Sequence, residues 1–216
     1  MRFFKTGKGE YGEGDRFLGM KVPQVRAIVK AHGAACTDAQ VDELITSPYH
    51  EVRLAGLFIL CKRYKEAKGD EEARERIADE YLGYTEYINN WDLVDLTAYE
   101  LLGDWYLTHN RSFLVDMARF GQTTWEQRIA IVTTLAFIRQ GDFATTLEIA
   151  DILLNHSHDL IHKAVGWMLR EVGKRDRRTL ECFLKPRCKT MPRTMLRYAI
   201  ERFPEPLRQR YLKGTR

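Results

Sequence analysis

The stretch "NWDLVDLTAYELL", residues 90–102, decides the fold class, because its apolar residues return at the spacing of an amphipathic helix rather than of a strand. Asn90 is placed to cap that helix, and Asp92 in the first turn suits the positive end of the helix dipole. Asp95 has neither reason to be there. It follows Trp91 by four residues, on the same face, where a purely structural helix would carry Leu or Ala. The same kind of run recurs as "HEVRLAGLFIL", "WEQRIAIVTTLAFI", "HDLIHKAVGWMLREVG" and "PRTMLRYAIERF", each opening on a polar residue and carrying a small residue about a turn in. With Ala55, Ala98, Ala130, Ala164 and Ala199 as reference points, the spacings are 43, 32, 34 and 35 residues. That range is the period of paired-helix arrays of the HEAT, armadillo or TPR type. Between these runs lie further helical patterns, among them "DEEARERIADEYLGY", "NRSFLVDMARFG" and "FATTLEIADILLNH", and alternating Val/Ile/Thr segments are almost absent. The expected fold is all-α: a HEAT-like repeat solenoid of stacked antiparallel helix pairs with a concave basic face.

A chain of 216 residues with 44% hydrophobic content can bury one sizeable core, so residues 1–216 are expected to form a single HEAT-like repeat domain with a Gly-rich N-terminal segment at 1–22. Without an 18-residue apolar run or a signal-peptide pattern, the expected compartment is the cytoplasm, with nucleoid association in a bacterium, and no membrane partner is expected. Four cysteines without C-x-x-C spacing read as reduced structural thiols. The net charge of +4 is unevenly spread. Residues 156–216 hold 16 Lys+Arg against 6 Asp+Glu, whereas residues 36–105 hold 7 against 16. A basic block interleaved with Tyr, Trp and Phe fits a surface that meets a nucleic acid, and solvated helix faces are the plainer alternative.

Two motifs lead nowhere. "GKGEYG", Gly7 to Gly12, matches the dinucleotide-binding fingerprint in letters but lacks the strand before it and the βαβ unit around it, so it reads as a connector to a helix beginning near Pro23. "HSHDLIH" brings His156, His158 and His162 together without a third ligand partner for the His158/His162 pair, and no metal or other cofactor is expected. No nucleophile elbow or catalytic cysteine setting is present. What stands out instead are polar and aromatic residues near the starts of the repeat runs: Trp91 and Asp95, then Trp125 and Arg128, then Lys163, Trp167 and Arg170. In a solenoid, equivalent positions of successive repeats line one wall.

"INNWDLVDL", "WEQRIAIV", "HDLIHKAVGWMLREVGK" and "FFKTGKGEYGEGDRFLGMKVPQVR" together resemble the AlkD-like family of DNA alkylation repair proteins, HEAT-like repeat DNA glycosylases, over nearly the whole chain. The resemblance implies that Trp91, Asp95 and Trp167 are the damage-site residues, contacting the deoxyribose of the damaged nucleotide, and that Arg128 touches DNA beside them. It implies release of cationic N3- and N7-alkylated purines from duplex DNA without pulling the lesion into a base pocket. The family's glycosylases carry a helix or more before the "FFKTG" region, and an aromatic from there helps close the site; here Phe4, or Phe3, is expected to stand in. The short N-terminus gives the alternative expectation of a non-catalytic binder of damaged or branched DNA.

The chemistry also stands on its own. An N-alkylated purine is positively charged and leaves as a neutral base, so no general acid is needed, and charge develops on the sugar. A carboxylate such as Asp95 stabilises that charge and positions water, while Trp91 and Trp167 flank the sugar with electron-rich faces. Lys163, Arg170, Arg193 and Arg197 are expected to hold phosphates. The expected partner is double-stranded DNA carrying alkylated bases, met by a monomer.

Overall fold

The computed structural model describes residues 4–214, and among these every regular element is a helix. A lone parallel bridge between Arg16 and Tyr49 is the extended pairing they contain. Contacts divide the chain into two compact units, Met1–Trp105 and Tyr106–Arg216.

The first unit holds α1 (Val22–His32), a 3₁₀ turn (Gly33–Ala35), α2 (Asp38–Ile45), α3 (His50–Glu66), α4 (Glu71–Gly83) and α5 (Trp91–Trp105). Local chemistry explains the boundaries. Pro23 opens α1, where its missing N–H is harmless. Thr37 and Gln40 form a capping box at α2, and Asp70 accepts the Ala73 N–H at α4. Two of the repeat runs become α3 and α5, which pack directly on one another, with α2 and α4 as their companions.

The second unit holds α6 (Ser112–Phe120), α7 (Thr124–Thr133), α8 (Leu135–Arg139), α9 (Ala144–Ile152), α10 (Asp159–Arg175), α11 (Arg177–Arg187), α12 (Arg193–Ala199) and α13 (Glu205–Lys213). Here α7 packs on α10 and α10 on α12, again repeat run against repeat run. The reference alanines Ala98, Ala130, Ala164 and Ala199 are buried, as close helix contacts require, and Ala55 is half-buried. Gly166 permits a similarly close approach: a Cβ there would lie 2.5 Å from the Tyr198 Cβ and 2.6 Å from the Met195 carbonyl oxygen on α12. One run does not stay whole. "WEQRIAIVTTLAFI" breaks into α7 and α8 at Thr134, whose hydroxyl donates to the Ile131 carbonyl at 2.7 Å and competes with the helical ladder.

The chain is thus all-α and repeat-like. No helix among the described residues is long and apolar enough to cross a membrane.

Candidate functional site

Trp91 is the first residue of α5. The buried Asn90 side chain accepts the Trp91 N–H at 2.9 Å, and its own Nδ2 is buried without a hydrogen-bond partner. After Trp91 the helix turns inward: Asp92, Leu93 and Val94 are all buried. Asp95 then returns to the half-exposed surface, as does Trp91. The indole and the carboxylate thus reach the surface one turn apart with a buried patch between them.

Asp92 does more than meet a helix dipole. Its Oδ2 lies 2.8 Å from His50 Nε2, and its Oδ1 accepts the Leu93 N–H at 3.0 Å. The other ring nitrogen of His50, Nδ1, lies 3.2 Å from Asp15 Oδ2. Arg53, one turn after His50 on α3, donates to Asp15 at 2.5 Å, to Asn89 at 2.9 Å and to the Ser47 carbonyl at 2.9 Å. The side chains of Asp15, His50, Arg53 and Asp92 are each at most 6% exposed. Burial alone would push the His50 pKa down, but its hydrogen bonds to Asp15 and Asp92 and their charges prevail and raise it to about 9. Burial pushes Asp15 up, and the hydrogen bonds and charges of His50 and Arg53 more than offset this, leaving its pKa lowered. With His50 protonated the buried quartet carries two positive and two negative charges, the arrangement a low-dielectric interior tolerates best.

The Gly-rich N-terminal stretch is held rather than trailing. Glu51 accepts the backbone N–H groups of Leu18, Gly19 and Met20 at 2.8, 2.8 and 3.1 Å, and Gly19 has φ +83°, a conformation natural to glycine. Phe4 stacks on Trp91 with ring centroids 5.6 Å apart and planes 19° from parallel. Phe3, the other aromatic considered for that place, lies outside the described residues.

In the second unit, α10 presents Lys163, Trp167 and Arg170 at half-buried positions along one stripe. Lys163 pairs with Asp159 at 2.7 Å, and Arg170 pairs with Glu201. Trp125 is half-buried on α7. Arg128 is buried, and its Nη1 donates to the Leu160 carbonyl in the first turn of α10 at 2.5 Å. Arg193 and Arg197 are exposed on α12, with Arg193 donating to the Leu212 carbonyl at 2.6 Å. The three histidines make local bonds: His158 caps α10 through Leu160 N–H, His156 meets Gln127 at 2.8 Å, and His162 meets the His156 carbonyl. His156 is pushed below its usual pKa by burial and by the neighbouring charges of His158 and His162. Among the described residues no group of three or more His, Cys, Asp or Glu could hold a metal ion.

The sequence profile described as "DNA alkylation repair enzyme" matches residues 1–203. The chain belongs to the DNA alkylation repair enzyme family. A solved structure described as a predicted DNA alkylation repair enzyme from Enterococcus faecalis aligns with a TM-score of 0.71 over 90% of this chain and 92% of that one, at 14% identity. At that identity the likeness establishes a shared fold. No curated protein matches the chain at comparable significance. Family membership places the chain in DNA alkylation repair and makes DNA the implied partner.

Sequence reasoning singled out Trp91 and Asp95 but not His50, Asp15 and Arg53, which the fold brings together beside them. "HEVR" reads as an ordinary polar opening to an apolar helix. Its meaning comes from Asp15 and Asp92, 35 residues before and 42 residues after His50. The one available signal was the concentration of His50, Glu51 and Arg53 within four residues of a helix otherwise rich in Leu and Ile.

Proposed function

We propose that the chain is a DNA glycosylase that releases cationic N3- and N7-alkylated purines from duplex DNA without extruding the base. The observation that carries this reading is the return of Trp91 and Asp95 to the surface, one turn apart, from a helix whose intervening residues are buried. In the reaction the bond between C1′ and the purine nitrogen breaks, and its electron pair neutralises the departing cationic base. The sugar becomes oxocarbenium-like. Asp95 stabilises that charge and orients a water molecule, whose oxygen bonds to C1′ as its proton is lost. Trp91 flanks the deoxyribose, and Trp167 is assigned a DNA contact. Lys163, Arg170, Arg193 and Arg197 hold phosphates, and Phe4 backs Trp91. Arg128 is assigned a DNA contact as well.

Lys163 and Arg170 rest against partly exposed carboxylates, so exchanging those partners for phosphate is inexpensive. No metal or cofactor takes part, and the protein acts as a monomer. Incubation with methylated duplex DNA, followed by mass spectrometry of the supernatant, is expected to detect free 3-methyladenine and 7-methylguanine. Retained duplex binding without base release would instead make the protein a non-catalytic binder of damaged or branched DNA.

A further inference from the structure

Four aromatic rings form a continuous stack beneath the first turn of α5. Trp91 meets Phe4, Phe4 meets Phe17 at 4.7 Å, and Phe17 meets His50 at 4.7 Å with planes 25° apart. Phe4 also touches the His50 ring directly, at 5.0 Å. The end of this stack is fastened by two parallel polar bridges that share Asp15 and pass through α3. One runs from Asp15 through His50 to Asp92, the residue next to Trp91. The second runs from Asp15 through Arg53 to Asn89, two residues before Trp91. Glu51, between His50 and Arg53 in the chain, grips the far end of the same N-terminal segment. Three polar residues in the first turn of α3 thus fix the segment that carries Phe4 and the turn that carries Trp91 and Asp95.

We propose that His50 is a positioning residue for base release. Bound to the N-terminal segment on one side and to the first turn of α5 on the other, it sets where Phe4 lies on Trp91 and where the Asp95 carboxylate is presented. The proposal rests on the glycosylase reading above. It assigns to a buried histidine, which touches no substrate, control over two residues that do. Its physical basis is the steepness of such effects: a displacement of about 1 Å at a site that must meet developing charge costs up to about 10²-fold in rate.

The net charge of the quartet explains why an imidazolium is suited to the task. Asp15 and Asp92 approach it from opposite sides, Arg53 neutralises the remaining charge, and both ring nitrogens are used as donors. A neutral side chain with one donor would hold one partner and release the other.

The test is single-turnover release of 7-methylguanine by the full chain, with duplex affinity and thermal unfolding measured alongside. His50→Gln is expected to slow release by about tenfold or more, while affinity for a duplex with a stable abasic analogue changes by less than about threefold. Phe4→Ala is expected to slow release to a similar degree, and the double variant no further, since both act through the seating of Trp91. A structural role would lower the unfolding temperature and leave the release rate of the folded protein unchanged. Should His50→Gln not fold, Asp15→Asn severs the same bridge from the N-terminal side and is expected to slow release likewise. Wild-type release with unchanged rates in these variants overturns the positioning role and leaves the glycosylase reading standing. Multiplying effects in the double variant overturn it too. No release by the wild type overturns the glycosylase reading, and the positioning role falls with it.

Discussion

The first turn of α5 and the half-buried stripe of α10 contribute candidate residues to the same function, yet their charges are handled in opposite ways. Around α5 the charges are buried, matched two against two, and held by residues distant in sequence. Along α10, Lys163 and Arg170 sit at partly exposed positions against Asp159 and Glu201, which are themselves about half exposed, although Arg170 also lies 3.8 Å from the mostly buried Glu171. A buried, matched set resists rearrangement because any unpaired member would be stranded without water, whereas an exposed pair is screened and readily exchanged. The first arrangement suits a group that must stay put while bonds break. The second suits cations that must let go of one anion to take another.

The largest effect expected from this contrast is on stability. Asp92→Ala leaves His50 and its proton buried beside one carboxylate instead of two and should destabilise the protein by about 3–5 kcal/mol. The Arg170–Glu201 pair, removed by Glu201→Ala, should contribute no more than about 1 kcal/mol. Denaturant unfolding of both variants checks this, and equal losses would erase the distinction.

Next comes Asp95→Asn. The change is nearly isosteric and leaves the buried quartet intact, so the fold and most of the duplex affinity should persist. Release of 7-methylguanine should slow by about 10²-fold or more, with uracil-containing duplex as the neutral-lesion control. Equal rates would remove Asp95 from the chemistry.

A third effect follows from the protonation of His50. Its pKa is raised from 6.5 to about 9, so its contribution to stability is fully present below about pH 6.5 and is lost as pH rises through about 9. Unfolding followed from pH 6 to 10 should show a decline in the wild type that His50→Gln lacks. Asp15, whose pKa is lowered, contributes the opposite limb: its stabilisation is lost as pH falls below the ordinary carboxylate range.

The smallest effect belongs to Arg170→Ala. Duplex affinity should weaken to a similar extent across sequences, and the slope of log affinity against log salt should shrink by about one. Thermal stability should fall by less than in Asp92→Ala. A sequence-dependent loss would show that Arg170 reads bases and would weaken the analogy with an exchangeable surface pair.

The helices of both units were legible because the information is local. The apolar period, the cap at Asn90 and the small residues at the repeat positions all act within a few residues of where they stand. Thr134 shows the limit of such reading, since the apolar pattern runs on through it while the chain forms two helices there. The oddity of Trp91 and Asp95 was also visible, because a carboxylate on an apolar stripe is anomalous wherever the helix packs.

The sequence by itself therefore determined the helical repeats, the family and the presence of an indole and a carboxylate one turn apart. Only the tertiary structure decided what surrounds them. It buried Arg128 against the start of α10, gave Lys163 and Arg170 their carboxylates, and brought Asp15, His50, Arg53 and Asp92 into one neutral cluster beneath Phe4 and Trp91. Periodicity reports which face of a helix is apolar. Partners 35 and 42 residues apart meet only when the chain folds back on itself, and the burial that makes their charges consequential exists only once it has done so.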